Sequence, residues 1–414
     1  MTVTLLEGDC LETLKTLPDC SVQMIVTSPP YYRLRKYGTN YKIWDGDNTC
    51  LHKWRKYIQK PEGGKNLLNN MPNTGSNKIQ QKEDNPRFGV ESDFCLLCGA
   101  WKGELGLEPN PELYIKHLVD IFQEARRILK DDGTLWVNIG DKFNGSGGEH
   151  KDGKGQNGLK VENRGKVGII ESTQIKGLKP KDLIGLPWMA AFALRDDGWY
   201  LRSDIVWSKP NPQPESVKDR PTKSHEYIFL LSKNARYYYN ADAIAEIATG
   251  YDGRKSTMMK GSNKYKNGFV PNENAQNIHV RGHERWKFVD IMKFGKTGEK
   301  HSGYNNPDGS LRVNFQNGVP VRNKRDVWII NTKSSKKKHY AMFPPELPRL
   351  CILAGSKVGD TILDPFNGSG TTGEVAISLG RNYIGCELNP EYIEITKQRL
   401  SQVQLVLNPN SIIT

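Results

Sequence analysis

Two short stretches of this sequence concentrate residue types that could do chemistry. The first is Thr27-Ser28-Pro29-Pro30-Tyr31-Tyr32. Neither proline carries an N–H, so the turn offers carbonyls and the Ser28 hydroxyl but few donors. Such a turn suits a ligand group that is itself a donor, for instance an exocyclic amine. Drawing both amine hydrogens toward acceptors pulls the nitrogen out of planar conjugation and frees its lone pair for attack. Tyr31 supplies a flat face for a base taken out of its stack. The competing reading is a plain Pro-Pro chain reversal.

The second stretch is Asp364-Pro365-Phe366-Asn367-Gly368-Ser369-Gly370-Thr371-Thr372-Gly373. Gly368, Gly370 and Gly373 satisfy G-x-G-x-x-G, and Glu387 lies 19 residues after Gly368. Taken alone, this is the dinucleotide fingerprint, with the acidic residue on a ribose hydroxyl, so a nicotinamide-dependent oxidoreductase is a real competitor. It is not a phosphate-binding Walker loop, because no Lys precedes the Ser/Thr. Asp364 tips the balance. A carboxylate at the mouth of the loop repels a pyrophosphate and attracts a cationic ligand such as S-adenosylmethionine. Glu387 can hold the ribose of either.

A third group is Cys50-Leu51-His52 with Cys95-Leu96-Leu97-Cys98. The second pair has the C-x-x-C spacing that lets two thiolates wrap one tetrahedral ion, and four protein ligands leave no open position, so the expected role of zinc here is structural. Two reduced thiols beside a surface histidine are the alternative.

These groups need a scaffold, and the chain supplies an α/β rhythm. Thr2–Glu7 and Val22–Thr27 are short and apolar, as buried parallel strands should be, with a helical stretch, Leu11–Leu17, between them. Pro111–Lys130 reads as an amphipathic helix, with Leu113, His117, Ile121, Ala125 and Leu129 on one track. Asp131-Asp132-Gly133 is expected to stop it before a strand at Thr134–Ile139. Leu183–Leu194 reads as helix, and Leu201–Trp207 and Glu226–Leu231 as strands. Thr361–Leu363 leads into the glycine loop and a helix, Thr372–Leu379; a strand, Asn382–Cys386, and a last helix, Glu391–Gln404, follow. This alternation predicts a mostly parallel sheet with helices on both faces.

At 414 residues the chain fits two domains or slightly more. Its 36% hydrophobic and 25% charged residues are those of a globular protein, and its longest apolar stretch is too short to span a bilayer. The N-terminus has no basic region or cleavage site of a secretory signal. Seven cysteines is an odd number, and Cys10, Cys20, Cys351 and Cys386 read as buried reduced thiols, so a cytoplasmic location is expected. The net charge of +13 is unevenly placed: Tyr251 to Lys338 holds 19 Lys/Arg against 7 Asp/Glu. A local field that strong favours a polyanion such as nucleic acid over a merely solvated face. Lys60–Val90 and Gly145–Lys176 read as mobile loops. Residues 233–325 read as a small inserted domain, in which Tyr237-Tyr238-Tyr239, Trp286, Phe288 and Phe294 suit either base stacking or an ordinary small core.

TSPPY near one end and DPFNGSGTT near the other together resemble the amino-group DNA methyltransferases of the beta class. The resemblance implies a Rossmann-like, S-adenosylmethionine-dependent fold with permuted motif order. Residues 1–232 and 326–414 would be its catalytic and cofactor-binding parts, 50–98 would hold a zinc knuckle, and 233–325 would be the target-recognition region. It assigns Ser28, Pro29, Pro30 and Tyr31 to catalysis, and Asp364, Phe366, Gly368, Gly370 and Thr371 to the cofactor loop. Glu387 becomes the ribose-binding acid and Asp9 an adenine contact. His339–Pro345, with Phe343 and Pro344, becomes the segment over the methionine end. Ser rather than Asp at the first motif position favours cytosine N4 over adenine N6. No Pro-Cys occurs, which disfavours cytosine-C5 chemistry. The implied partners are double-stranded DNA, a cognate restriction endonuclease and a second copy of the chain, with no membrane. Methylation of RNA or of a protein amide, and a non-catalytic DNA-binding zinc protein, are the remaining alternatives.

Overall fold

In the computed structural model the described residues are 1–34, 37, 39, 41–47, 49–58, 91–145, 175, 177–248, 314–316, 319–332 and 344–407. Residues 60–90, most of 145–176, Trp286, Phe288, Phe294, residues 336–338 and Phe343 lie outside them. The chain divides into two compact units, residues 1–240 with 326–414, and residues 241–325.

The larger unit is built on an eight-stranded sheet. Its strands are β1 (Val3–Glu7), β2 (Val22–Thr27), β7 (Leu129–Ile139), β8 (Tyr200–Ser208), β9 (His225–Ser232), β13 (Val327–Ile329), β14 (Thr361–Asp364) and β15 (Asn382–Glu387). Their spatial order is β1-β15-β14-β2-β7-β9-β8-β13. All adjacent pairs run parallel except those made by β9, which is antiparallel to both β7 and β8. The sheet is thus mostly parallel, as the sequence pattern predicted, with β9 as its one antiparallel strand.

β2 is buried along its whole length, as a strand covered on both faces must be. Ile25 joins the core cluster that includes Tyr114, Leu118 and Phe122 of helix α2 (Pro111–Ile128). Met24, pointing the other way, abuts Gly355 at the end of helix α4 (Glu346–Gly355). Alternate residues of one strand therefore feed two helical layers. Helix α2 starts where Asn110 accepts from the Leu113 N–H at 2.8 Å and Pro111 occupies its first turn. It stops at Ile128, and β7 begins one residue later, so Asp131-Asp132-Gly133 lies inside a strand rather than in a loop. The remaining helices of this unit are α1 (Cys10–Lys15), α3 (Leu186–Asp196), α5 (Thr371–Ser378) and α6 (Pro390–Leu407).

Four strands of the same unit form a small antiparallel sheet that sequence periodicity did not reveal. They are β3 (Lys42–Trp44), β4 (Trp54–Ile58), β5 (Glu91–Cys95) and β6 (Trp101–Gly103), in the order β3-β6-β5-β4. Tyr237-Tyr238-Tyr239 also belong here, not to the insert: the Tyr238 N–H donates to the Asp132 carbonyl at 2.9 Å. Cys10, Cys351 and Cys386 are buried, whereas Cys20 is exposed, in a positive-φ turn before β2.

The smaller unit, by itself, contains β10 (Glu246–Ile247), β11 (Asn314–Gln316) and β12 (Val319–Arg322), paired antiparallel with β12 in the middle. Glu246 accepts from Arg322 at 2.9 Å, and also pairs with Arg325 and Lys324.

Candidate active site

The order β1-β15-β14-β2 creates the site. The last two strands of the chain are threaded between the first two, and all four run parallel. Their carboxyl ends open along one edge, where doubly wound sheets take their ligands. Glu7 pairs with Glu387, and Leu363 with Ile25. Asp9, Glu387, Phe366 and Ser28 consequently emerge side by side from four consecutive strand ends. One crevice is lined by Asp9, Ser28, Pro30, Phe366, Gly368 and Glu387. Motifs more than 300 positions apart thus form neighbouring walls of the same opening.

The glycine loop is closed on itself. Its N–H groups at Phe366, Asn367, Gly368 and Gly370 donate to Asp364, the Cys386 carbonyl, Glu387 and the Asn367 carbonyl, at 3.0, 3.0, 2.7 and 3.0 Å. A loop that cradles a pyrophosphate keeps such donors for the ligand. Here they are committed within the protein, and the group turned to the crevice is a carboxylate. Glu387 also accepts from the Asn389 N–H at 2.9 Å. Burial pushes its carboxyl up to about 7, with the backbone donors pulling the other way.

Asp364 does not occupy the mouth of the loop as its sequence position suggested. It is 2% exposed, does not line the crevice, and is braced by three donors. Thr27 and Thr372 donate through their hydroxyls at 2.6 and 2.7 Å, and Phe366 through its N–H at 3.0 Å. Burial raises its carboxyl to about 6. These bonds tie the end of β2 to the glycine loop and the start of α5. Gly370 and Thr371 are likewise set back from the crevice. Gly370 has φ +78°, and a Cβ there would lie 2.6 Å from the Thr396 methyl. The Thr371 hydroxyl accepts from Arg399 at 3.0 Å. Pro344 is buried just before α4 and does not line the crevice either, and Phe343 lies outside the described residues.

Asp9 caps α1, accepting from the Leu11 and Glu12 N–H groups at 3.1 and 3.3 Å, and forms an ion pair with Lys42. Lys42 and Trp44 come from the small sheet, Glu104 directly follows its strand β6, Asn389 directly precedes α6 and Tyr392 lies in its first turn; all line the crevice. Sequence reasoning missed these five. The small sheet has too little alternation to be read, and Asn389 and Tyr392 follow a motif without belonging to it.

Of the Ser-Pro-Pro-Tyr turn, Ser28 and Pro30 line the crevice and Pro29 and Tyr31 do not; Pro29 is buried, and the Pro30 carbonyl accepts from the Tyr114 hydroxyl at 2.8 Å. The Tyr31 hydroxyl lies 2.7 Å from Glu226 Oε2 and 2.9 Å from Asn138 Oδ1, and also has Ser28 as a hydrogen-bonding neighbour. Burial, and next the Glu226 charge, hold the phenol well above its usual range, so it stays protonated. Asn138 donates to Glu226 at 3.1 Å, and Lys209 pairs with the other Glu226 oxygen. The Tyr31 ring packs on Gly140, where a Cβ would come within 2.4 Å of it. The Asn138, Lys209 and Glu226 cluster carries no sequence signal, because β7, β9 and the residue after β8 supply it from distant parts of the chain.

Cys50, His52, Cys95 and Cys98 are also brought together: one ligand atom from each lies within 4.8 Å of the others. No helix among the described residues is long and apolar enough to cross a membrane.

The structure thus shows a doubly wound sheet with late strands threaded between early ones, and one crevice shared by the glycine loop and the Ser-Pro-Pro-Tyr turn. The comparisons are narrower. A family described as DNA methylase, of the N6/N4 type, matches residues 22–398. The chain belongs to that family, which displaces the oxidoreductase reading. It is 36% identical to the type II methyltransferase M.Cfr9I of Citrobacter freundii over 96% of this chain and 87% of that protein. It is 41% identical to the type II methyltransferase M.SmaI of Serratia marcescens over 72% of this chain and 77% of that one. Among solved structures, the cytosine-N4-specific PvuII DNA methyltransferase superposes with a TM-score of 0.49 at 15% identity, covering 100% of this chain and 96% of its own.

Proposed function

We propose that this DNA methylase moves the methyl group of S-adenosylmethionine to the exocyclic amine of a base flipped out of duplex DNA, cytosine N4 in particular. The observation that carries the reading is the shared crevice: Ser28 and Pro30 line it together with Phe366, Gly368 and Glu387. In this reading Glu387 offers carboxylate oxygens to ribose hydroxyls and Asp9 contacts the adenine, which their shared place in the crevice supports.

On the acceptor side, Ser28 Oγ takes one amine hydrogen. A main-chain carbonyl of the turn takes the other; the Pro30 carbonyl, which also accepts from Tyr114, keeps a second lone pair. Tyr31, clamped through its hydroxyl, provides the stacking face. The amine nitrogen attacks the methyl carbon as the C–S bond breaks, its electron pair returns to sulfur, and a proton then leaves the methylated nitrogen. Catalysis is by positioning and electrostatics, without a covalent enzyme intermediate.

The basic excess of residues 251–338 is suited to the phosphate contacts that hold duplex DNA while a base is extracted. Its relatives' type II designation points to a restriction endonuclease of matching specificity as partner, with the reducing cytoplasm as the place of action and a second copy of the chain as the candidate assembly. Digesting methylated duplex to nucleosides and weighing them is the test. N4-methyldeoxycytidine is expected; N6-methyldeoxyadenosine would move the target to adenine, and unmodified DNA would overturn the reading.

A further inference from the structure

The small antiparallel sheet has two functional ends. At one, Lys42 pairs with Gly103, and both line the crevice together with Glu104 and Leu105. At the other, Trp44 pairs with Trp101, and the chain runs on into Asp45–His52 and back from Cys95–Ala100. Two segments, 42–58 and 91–103, make this sheet, and a long intervening stretch separates them in sequence. The four clustered ligand atoms join these two segments: Cys50 and His52 come from one, Cys95 and Cys98 from the other.

Their spacing is that of a metal cage. The Cys50 and Cys95 sulfurs are 3.8 Å apart, and Cys98 Sγ lies 3.4 Å from His52 Nδ1. Zinc–sulfur bonds of about 2.3 Å at tetrahedral angles give sulfur–sulfur edges of about 3.8 Å. A disulfide needs about 2.05 Å, so the Cys50–Cys95 pair is not one. The backbone is also shaped for thiolates. The Leu97 N–H donates to Cys95 Sγ at 3.4 Å, and Gly99, at φ +76°, turns the chain so that the Cys95 N–H reaches the Ala100 carbonyl at 2.7 Å. The His52 ring stacks on Trp54, which orients it with Nδ1 toward Cys98.

We infer that Cys50, His52, Cys95 and Cys98 bind one structural zinc ion, and that this ion holds the small sheet in the register that places Lys42, Trp44 and Glu104 in the methyl-donor crevice. The metal takes no part in methyl transfer, since four protein ligands leave it no open position. It acts on donor binding by fixing the far end of the two strands that form the crevice wall. The second half of this inference rests on the crevice being the donor site; the first half does not.

The experiment uses the full chain. Metal content is measured by elemental mass spectrometry, and cobalt substitution is followed by absorption. One zinc per chain is expected, with the cobalt form showing thiolate charge-transfer and tetrahedral ligand-field bands. Cys98→Ser should lower zinc occupancy, whereas Cys20→Ser, an exposed thiol away from the cluster, should keep it. Calorimetric titration with S-adenosylmethionine should then show affinity about tenfold lower after chelation, restored by added zinc. Wild-type chain that holds under about a tenth of an equivalent after zinc reconstitution would overturn the metal site. Zinc at full occupancy with unchanged donor affinity after stripping would overturn the coupling. No donor binding in either form would sink the donor reading and the coupling together, while the zinc stoichiometry would stand.

Discussion

The two walls of the crevice are built on opposite plans. The donor wall is braced from within by backbone and short side chains. Asp364 ties Thr27, Phe366 and Thr372 together, Asn367 donates to Thr396 at 2.9 Å and accepts from Tyr383 at 2.7 Å, and Gly370 lets the helix start press against Thr396. Asn367 and Thr396 are buried, so the wall is part of the core. The acceptor wall is a half-buried turn whose aromatic ring is steered through its hydroxyl by Asn138 on β7 and Glu226 on β9, the latter paired with Lys209 just past β8. A donor used in every turnover suits a preformed, rigid seat. A base that must be extracted from a duplex suits a surface turn whose orientation is set by a side-chain network. Substitutions on the two walls should therefore fail differently, the first in binding and folding, the second in turnover.

The largest effect is expected from Ser28→Ala on the acceptor wall. Loss of one preorganised hydrogen-bond partner at the reacting group should cut kcat by roughly a hundred- to a thousandfold. The dissociation constant for S-adenosylmethionine, measured by calorimetry, should stay within about threefold. A collapse of donor binding instead would place Ser28 on the wrong wall. Next comes Gly370→Ala on the donor wall. Left-handed backbone and a methyl driven into buried Thr396 should together cost about 2–4 kcal/mol of stability. Chemical denaturation would register that loss, and the folded fraction should keep its kcat.

The same contrast explains what the sequence disclosed. The donor wall was legible because its specialised residues are consecutive: a strand, a glycine loop and a helix start follow one another from Thr361 to Ser378. Glu387 was legible because it ends the next strand. The burial of Asp364 was not legible, because nothing in the local sequence says that Thr27, 337 positions away, donates to it. Strand order, which makes that contact, is a non-local property. Asn138, Lys209 and Glu226 were invisible for the same reason. So was the small sheet, whose three-residue strands β3 and β6 are too short for a period to appear. β9 shows a different limit: an apolar run fits a parallel or an antiparallel neighbour, and periodicity does not give direction.

Glu387→Gln tests the donor wall through its charge. Two backbone donors hold the carboxyl in place, and burial holds it at about 7. The ionised form is the stronger acceptor for ribose hydroxyls, since the protonated carboxyl loses charge and one acceptor site to its own O–H. Donor affinity should approach its full value about one pH unit above 7 and decline as pH falls through 7. The amide cannot titrate, so the variant should bind about tenfold more weakly at pH 8 and show a flat profile between pH 6 and 8. Equal slopes in the two proteins would assign the dependence to another group.

The smallest effect should come from Tyr31→Phe, and it separates the two duties of this side chain. Removing the hydroxyl takes a partner from Glu226 and Asn138, but these retain each other at 3.1 Å, and Glu226 retains Lys209. The net loss of one such bond is about 0.5–1.5 kcal/mol, equivalent to a few-fold to about tenfold in kcat. The ring and its seat on Gly140 remain. Tyr31→Ala also removes the stacking face, worth about 1–3 kcal/mol per base, and should lower kcat/KM for duplex DNA well below the Phe variant. If Phe and Ala reduced it equally, the hydroxyl network and not the ring would be what Tyr31 contributes. The acceptor wall would then work through charge alone.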